Sequence, residues 1–331
     1  MVLAAVLAVG APALHAQNPN PRALEVLHER LLPVFELSGV VFTDADESTG
    51  RLVVGVMSSD VQELVRERLP ALGISSQLVD FVETEPIFQV TSLRDQVRPV
   101  VGGLQIRWSN YVCTLGFPAY RSGVLGFVTN SHCSTKQGSV DGTKYYQPVN
   151  QVAAELIGTE VADPAFFRGG GVCPRGKQCR YSDSIFSRAE NGVNFDVGKI
   201  AKTDGVNNGS LTIANSGAAR FTITEKGNAL VGTVVNKVGR TTGWTQGAVK
   251  QKCANVAVSG TNIVNLCQDI VENTSAKIVE GGDSGSQVFV TLSGDNVRLV
   301  GLLWGGNSSG TLFVYSPIGN VEGELGTLTV F

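Results

Sequence analysis

Beyond residue 105 the sequence contains few runs that would favour a helix, and glycine, 39 in the whole chain, divides it into short segments. Such a stretch is suited to many short strands separated by turns, which predicts an all-β main body. With 331 residues, 43% hydrophobic and 17% charged, the chain has room for two domains and enough apolar side chains for a sizeable core. Residues 17–97 differ in texture. Arg22 to Phe35 carries apolar residues at helical spacing among many charges. Gly39–Thr43 and Arg51–Met57 read as strands on either side of the turn cluster Asp44–Gly50. Ser59 and Asp60 are suited to cap a helix over Val61–Leu69, with Leu64, Val65 and Leu69 on one face. Ser76–Val82 reads as a third strand. Hairpin, helix and strand together make a small α/β layer.

Residues 1–16 are an apolar run followed by small residues, the pattern of a signal peptide cut after Ala13 or Ala16, although no Lys or Arg precedes the run. The six cysteines all lie after residue 112 and fall into three local pairs, none spaced as CxxC, which argues against a zinc knuckle. An even count behind a signal-like N-terminus predicts three disulfides and an oxidising compartment, extracellular or periplasmic. The net charge of −3 argues against a nucleic-acid or anionic-membrane partner. No run of 18 apolar residues follows the N-terminal segment, so no membrane-spanning helix is expected.

The stretch richest in chemistry is Glu280-Gly281-Gly282-Asp283-Ser284-Gly285-Ser286. A serine between glycines suits a nucleophile on a tight turn, because Gly282 and Gly285 can take angles closed to other residues. The N–H groups of Gly282 and Ser284 are then candidates for holding an oxyanion. An acyl-transfer serine needs a base, normally histidine. Of the three histidines, His15 and His28 lie near the N-terminus, which leaves His132 in Val128-Thr129-Asn130-Ser131-His132-Cys133.

The two motifs, in this order, resemble those of the chymotrypsin-like (trypsin-fold) serine peptidases, in particular the bacterial α-lytic protease and streptogrisin branch. The resemblance covers residues 100–331 and is specific around His132, Gly239–Trp244 and Ser284. It implies a double six-stranded β-barrel with the site in the cleft between barrels, and a Ser-His-Asp triad that needs no cofactor and no metal. It also implies a serine endopeptidase acting on protein or peptide substrates through an acyl-enzyme. Val100-Val101-Gly102-Gly103 resembles the start of mature chains in this family, placing a pro-region at 17–99 and the peptidase domain at 100–331. The α/β layer before it resembles the pro-domains of such enzymes, implying a folding aid and inhibitor of an otherwise monomeric enzyme.

Tyr111–Phe117 and Gly123–Thr129 then read as paired strands that deliver His132. Cys113 and Cys133 match the family's bridge beside the histidine, a link worth roughly 3 kcal/mol in the chain-entropy model. Cys173 with Cys179 and Cys253 with Cys267 complete the expected set. Val238–Trp244 resembles the branch's Ser-Gly-Arg-Thr-Thr-Gly stretch. Asn236 and Gln246 stand where the branch has two bridged cysteines, and Lys237 where it has an arginine that pairs with the buried aspartate. Lys237 is thus the expected partner of Asp283, with the α-amino group of Val100 as the alternative. Trp304-Gly305 resembles the edge that pairs with substrate backbone, with Leu303 where serine is usual. Glu280 and Phe313 are placed near the specificity pocket.

Two acids compete for the triad. Asp196 lies nearer the family's usual distance from Arg240, and Asp183 would require an insertion. Asp183-Ser184-Ile185-Phe186 supplies the apolar residues that enter the barrel, whereas Asp196-Val197-Gly198-Lys199 would bring in a lysine, costly to bury unpaired. Asp183 is preferred, with Asp196 as the alternative acid. Rival functions are an esterase using the same triad and a catalytically silent or permanently inhibited trypsin-fold binding protein.

Overall fold

The computed structural model describes residues 21–87, 90–149 and 152–331. The signal-like segment 1–16, with its cleavage positions and His15, lies outside the described residues. The chain forms two compact units divided between residues 89 and 90.

In the first unit, helix α1 (Pro21–Leu31) runs into a 3-10 turn over Leu32–Glu36. Strands β1 (Val40–Asp46) and β2 (Arg51–Val56) form an antiparallel pair. Helix α2 (Ser59–Arg68) then crosses to β3 (Val79–Glu83), which lies parallel to β2. The α2 cap is Ser58, one residue before the expected pair; its hydroxyl accepts the Val61 N–H at 3.5 Å. Val61, Val65 and Leu69 recur at four-residue spacing and make the inward stripe. Leu64 falls off that stripe and is 48% exposed, contrary to expectation. The third strand begins at Val79, since Ser76–Leu78 is a 3-10 turn. His28 on α1 bonds Thr43 Oγ1 at 2.9 Å.

The second unit is mainly β. Its strands are β4 (Val100–Gly102), β5 (Gln105–Trp108), β6 (Tyr111–Thr114), β7 (Phe117–Arg121), β8 (Val124–Thr129), β9 (Lys144–Tyr146) and β10 (Leu156–Ala162). They continue as β11 (Gln178–Arg180), β12 (Ile185–Ala189), β13 (Phe195–Ala201), β14 (Arg220–Lys226), β15 (Val234–Gly239), β16 (Gly243–Ala257) and β17 (Ile263–Glu272). Last come β18 (Gln287–Thr291), β19 (Asn296–Gly306), β20 (Leu312–Pro317), helix α3 (Ile318–Leu325) and β21 (Leu328–Thr329).

The first sheet runs β21-β7-β8-β12-β10-β9-β5-β6. Only Leu115 and Gly116 separate β6 from β7, so the chain passes from one end of that path to the other as one bent strand. Leu115 donates to Leu104 O and Gly116 to Val128 O, which carries the pairing through the bend. The sheet therefore closes as a six-stranded barrel with β21 attached. This corrects the expected pairing: β8 pairs with β7 and β12, while Tyr111–Thr114 pairs with β5.

The second sheet contains β17-β16-β15-β18-β19, and β20 bonds both β19 and β17, closing another ring of six. Alternate residues of its strands serve two cores. Val288 and Val300 face the barrel interior with Val235, Val249, Val271 and Phe313. Phe289 and Leu299 face outward into the larger core that also holds Phe117, Phe127 and Ile185 of the first barrel. Leu93 belongs to this larger core too, and pairs with Leu211 and Gln105 through its backbone.

Candidate active site

His132 follows β8 in a short 3-10 turn, Ser131–Cys133. Strand β12 pairs with β8 in the register Ile185↔Thr129, so the turns carrying His132 and Asp183 emerge at the same end. His132 Nδ1 lies 2.6 Å from Asp183 Oδ2, and the His132 backbone N–H donates to Asp183 Oδ1 at 3.1 Å. Asn130 Nδ2 donates to the Asp183 carbonyl, and the Asp183 N–H donates to Ser316 Oγ. The Asp183 residue is buried. Burial pushes its carboxyl up, but the charge on His132, the hydrogen bonds from that residue and the charge on Arg180 outweigh it, so the net shift is below the usual carboxylate range. Asp196 lies on β13, where its charge acts on Arg220 instead. Lys199, the residue that counted against Asp196, is half-buried and donates to Thr222 Oγ1 at 2.9 Å.

The Ser284 turn meets the first barrel directly. Thr114 N–H donates to Ser284 O at 2.8 Å, and Cys133 Sγ lies 4.0 Å from the same oxygen. Gly285 has φ +90°, and a Cβ there would come 2.2 Å from Thr114 O; Gly282 has φ +96°, and a Cβ there would come 2.7 Å from Thr241 Oγ1. Among the described residues, no acceptor claims the N–H of Gly282 or of Ser284, and the Ser284 hydroxyl makes no hydrogen bond. Two free N–H groups beside one serine can receive a developing negative charge.

Asp283 is held from below. Lys237 Nζ lies 3.3 Å from Asp283 Oδ2, and both side chains are fully buried. The carboxylate also accepts from Thr241 N, Thr242 N, Thr242 Oγ1 and Glu280 N at 2.7–3.1 Å. Burial lowers the Lys237 ammonium below its ordinary value, against the pull of Asp283. The Val100 N–H instead donates to Asn194 O at 2.8 Å. Asn236 and Gln246 stand directly opposite each other across β15 and β16, and Trp244 Nε1 donates to Asn236 Oδ1. Lys237→Met is expected to destabilise the protein by about 3–5 kcal/mol in a denaturant melt, because it leaves a buried carboxylate without a counter-charge. A neutral effect would show that the threonine and backbone donors suffice.

The three disulfides are Cys113–Cys133, Cys173–Cys179 and Cys253–Cys267. The first ties β6 to the histidine turn. Tyr145 OH donates to Cys133 O at 2.9 Å and holds that turn from the other side.

A cleft of ≈ 580 Å³ opens at His132 and Asp183, walled by Ile263, Trp304, Gly305, Leu312 and Val314 among others. Trp304 is nearly buried and donates from Nε1 to Gln268 Oε1 at 2.9 Å. Gly305 has open space where a Cβ would sit. Gly305 and Gly306 also line a ≈ 210 Å³ pocket beside Ser284, with Val279, Glu280, Leu303 and Asn307. Glu280 at its edge pairs with Lys277 at 2.8 Å. Phe313, expected there, is instead buried inside the second barrel, because β20 turns that face inward.

Sequence reasoning overlooked the support behind the acid. Arg180 is fully buried, lies 3.3 Å from Asp163 Oδ1, and donates to Ser184 O at 3.0 Å. Asp163 accepts from Ser131 Oγ and from the N–H groups of Gly138 and Ser139. Glu324 of α3 accepts from the N–H groups of Tyr181 and Ser182. The turns of His132 and Asp183 thus share one buried salt-bridged frame. The only sequence signal was an arginine closely preceding a candidate acid in a strand-like stretch.

Glu160 on β10 is buried and accepts the N–H groups of Asp141 and Thr143 in the loop after His132. Burial first, and the neighbouring Asp141 carboxyl second, push it from its ordinary 4.5 up to about 7. A carboxyl raised by folding favours the folded state when protonated, and that contribution is lost as pH rises through about 7. Glu160→Gln, which stays neutral, is expected to gain stability relative to wild type between about pH 5 and about pH 8 in thermal melts. A difference that does not change with pH would refute this.

Residues 191–319 match the family model described as the Nal1 C-terminal domain. No curated protein matches the chain. Among solved structures, Thermobifida fusca Protease A is similar at 23% identity and a TM-score of 0.49, covering 70% of this chain and 97% of that one. Nocardiopsis Protease (NAPase) is similar at 23% identity and a TM-score of 0.47, covering 70% of this chain and 98% of that one. A glutamic acid specific serine protease, described as using a histidine triad in substrate binding, is similar at 19% identity and a TM-score of 0.49, covering 70% of this chain and all of that one.

Proposed function

We propose that this chain is a serine endopeptidase. The observation that carries the reading is the short His132–Asp183 contact, 2.6 Å with the acid buried, in a cleft adjoining the Ser284 turn with its two unclaimed N–H groups. Ser284 Oγ attacks a peptide carbonyl while His132 Nε2 takes its proton, and the carbonyl oxygen becomes an anion between the N–H groups of Gly282 and Ser284. The intermediate collapses, His132 gives the proton to the leaving amine, and an acyl-enzyme forms on Ser284. Water activated by His132 then releases the acid. Asp183 keeps the Nδ1 proton in place and offsets the charge that His132 gains. Trp304 and Gly305 lie along the substrate's path. A fluorophosphonate probe is expected to label Ser284 in the mature protein, and an unlabelled serine would overturn the reading. Turnover of simple esters without turnover of peptides would favour an esterase.

The same reading takes 1–16 as a signal peptide and the protein as a secreted monomer, tested by N-terminal sequencing and sedimentation of the exported form. It takes 17–99 as a pro-region that assists folding and inhibits. Two closed barrels depend on pairings between distant residues, which form slowly. Residues 100–331 expressed alone are expected to give little active enzyme, rescued by adding 17–99 in trans; efficient folding without it would refute the role. In this reading Lys237 is the counter-charge of Asp283, with the α-amino group of a freed Val100 as the alternative.

A further inference from the structure

His132 and Asp183 stand on turns at one end of the first barrel, whereas Ser284 stands on the turn leading into β18 of the second. Reacting groups have to be held to within about 0.5 Å of their working geometry, so the turns of one barrel must be fixed against those of the other. On the nucleophile side Thr114 of β6 does this. Its N–H donates to Ser284 O, and its hydroxyl donates to Gly282 O at 2.9 Å. On the acid side a fully buried amide crosses, that of Gln268 on β17.

Gln268 uses all of its hydrogen-bonding positions. Its Nε2 donates to Tyr181 O at 2.8 Å and to Leu266 O at 2.6 Å. Its Oε1 accepts from Ser316 Oγ at 2.8 Å and from Trp304 Nε1 at 2.9 Å. An indole N–H only donates and a carbonyl only accepts, so the amide can face just one way. The Ser316 hydroxyl, engaged as a donor to Gln268, offers its oxygen to the Asp183 N–H at 3.1 Å. One side chain therefore grips the acid turn twice, directly at Tyr181 and through Ser316 at Asp183. The same Oε1 holds Trp304, which walls the cleft at His132 and Asp183. Trp304 follows Leu303, whose N–H donates to Ser286 O and whose carbonyl accepts from Gly285 N, just past the nucleophile. Gln268 and Ser316 are fully buried, so a rotated amide would strand polar atoms where water cannot replace the lost partners.

We infer that Gln268 is a positioning residue. It latches the Asp183 turn of the first barrel to the strand beside Ser284 in the second, and it fixes the Trp304 ring in the cleft wall. The inference rests on the peptidase reading and adds to it a residue that acts through Asp183 and Trp304.

The test uses the mature enzyme, produced from the full chain, and a peptide substrate. Rates are expressed per folded molecule, the folded fraction being read from a thermal melt. Gln268→Met, which lacks the amide, is expected to lower kcat by about 10- to 100-fold. It is also expected to raise KM by at least about threefold, through Trp304. In an Asp183→Asn background the same substitution is expected to lower kcat by no more than about twofold, because the acid it positions is already gone, while the rise in KM persists. A residue that only supports the fold would lower the melting temperature and leave kcat per folded molecule as it was. A kcat within about twofold of wild type in Gln268→Met, or the full loss repeated in the Asp183→Asn background, overturns the positioning role. Should Gln268→Met not fold, Ser316→Ala carries the test, since it breaks the link to the Asp183 N–H and leaves Trp304 held. It is expected to lower kcat by about tenfold with KM unchanged, and a kcat within about twofold of wild type overturns the latch. Wild-type protein that neither takes a fluorophosphonate label nor cleaves peptide overturns the peptidase reading and the inference with it.

Discussion

Ser284→Ala is expected to lower peptide turnover by on the order of 10⁴ to 10⁶ while the protein folds and melts as before. Ser284 is half-buried and its hydroxyl makes no hydrogen bond among the described residues, so its removal strands no partner. What holds the turn is elsewhere: Gly282 and Gly285 at positive φ, the Thr114 and Leu303 backbone contacts, and Asp283 on Lys237. Loss of rate with retained stability is therefore the signature of a nucleophile rather than of a structural residue. His132→Ala is expected to cost about as much, since nucleophile and base act as one unit. Initial rates on a peptide substrate and a thermal melt check both; either variant retaining turnover within about tenfold of wild type would sink the mechanism.

Asp183→Asn is expected to lower turnover by about 10⁴, and Asp196→Asn to leave it near normal. The carboxylate accepts from His132 through both oxygens, at the ring and at the backbone N–H. An asparagine can keep the backbone bond only by turning its amide nitrogen toward Nδ1, which must then accept and so moves the ring proton to Nε2. In that tautomer His132 can no longer take the serine proton. The same substitution is expected to change acid stability. The Asp183 carboxyl lies below the ordinary range, so its contribution is present above that range and is lost as pH falls through the lowered value. Turnover by Asp183→Asn close to wild type, with loss in Asp196→Asn, would reverse the assignment. Asp196 sits on β13, where its charge acts on Arg220.

Local chemistry was legible in the sequence. Ser284 between glycines and His132 beside Cys133 are contiguous motifs whose meaning is carried by nearest neighbours, and the three disulfides join cysteines 6, 20 and 14 residues apart. Apolar runs bounded by turn clusters marked β1, β2, β6 and β8, because those signals lie in neighbouring residues. What they could not reveal was pairing. Thr114–Phe117 looks like the end of one strand; only closure of the barrel makes it the bend through which β6 becomes β7, exchanging one partner for another. Asp183 was separated from Asp196 by the β8–β12 register, since a shift of one residue would turn each strand's side chains to the opposite face. Phe313 went into the barrel and Leu64 to the surface for the same kind of reason: which face of an element is covered depends on what packs against it. The frame of Arg180, Asp163, Ser131 and Glu324 spans residues far apart in the chain, and its charges are tolerated in the interior only because each meets its partner there. That meeting is decided by the tertiary structure, because burial and counter-charge are properties of a place in the fold and not of a position in the chain.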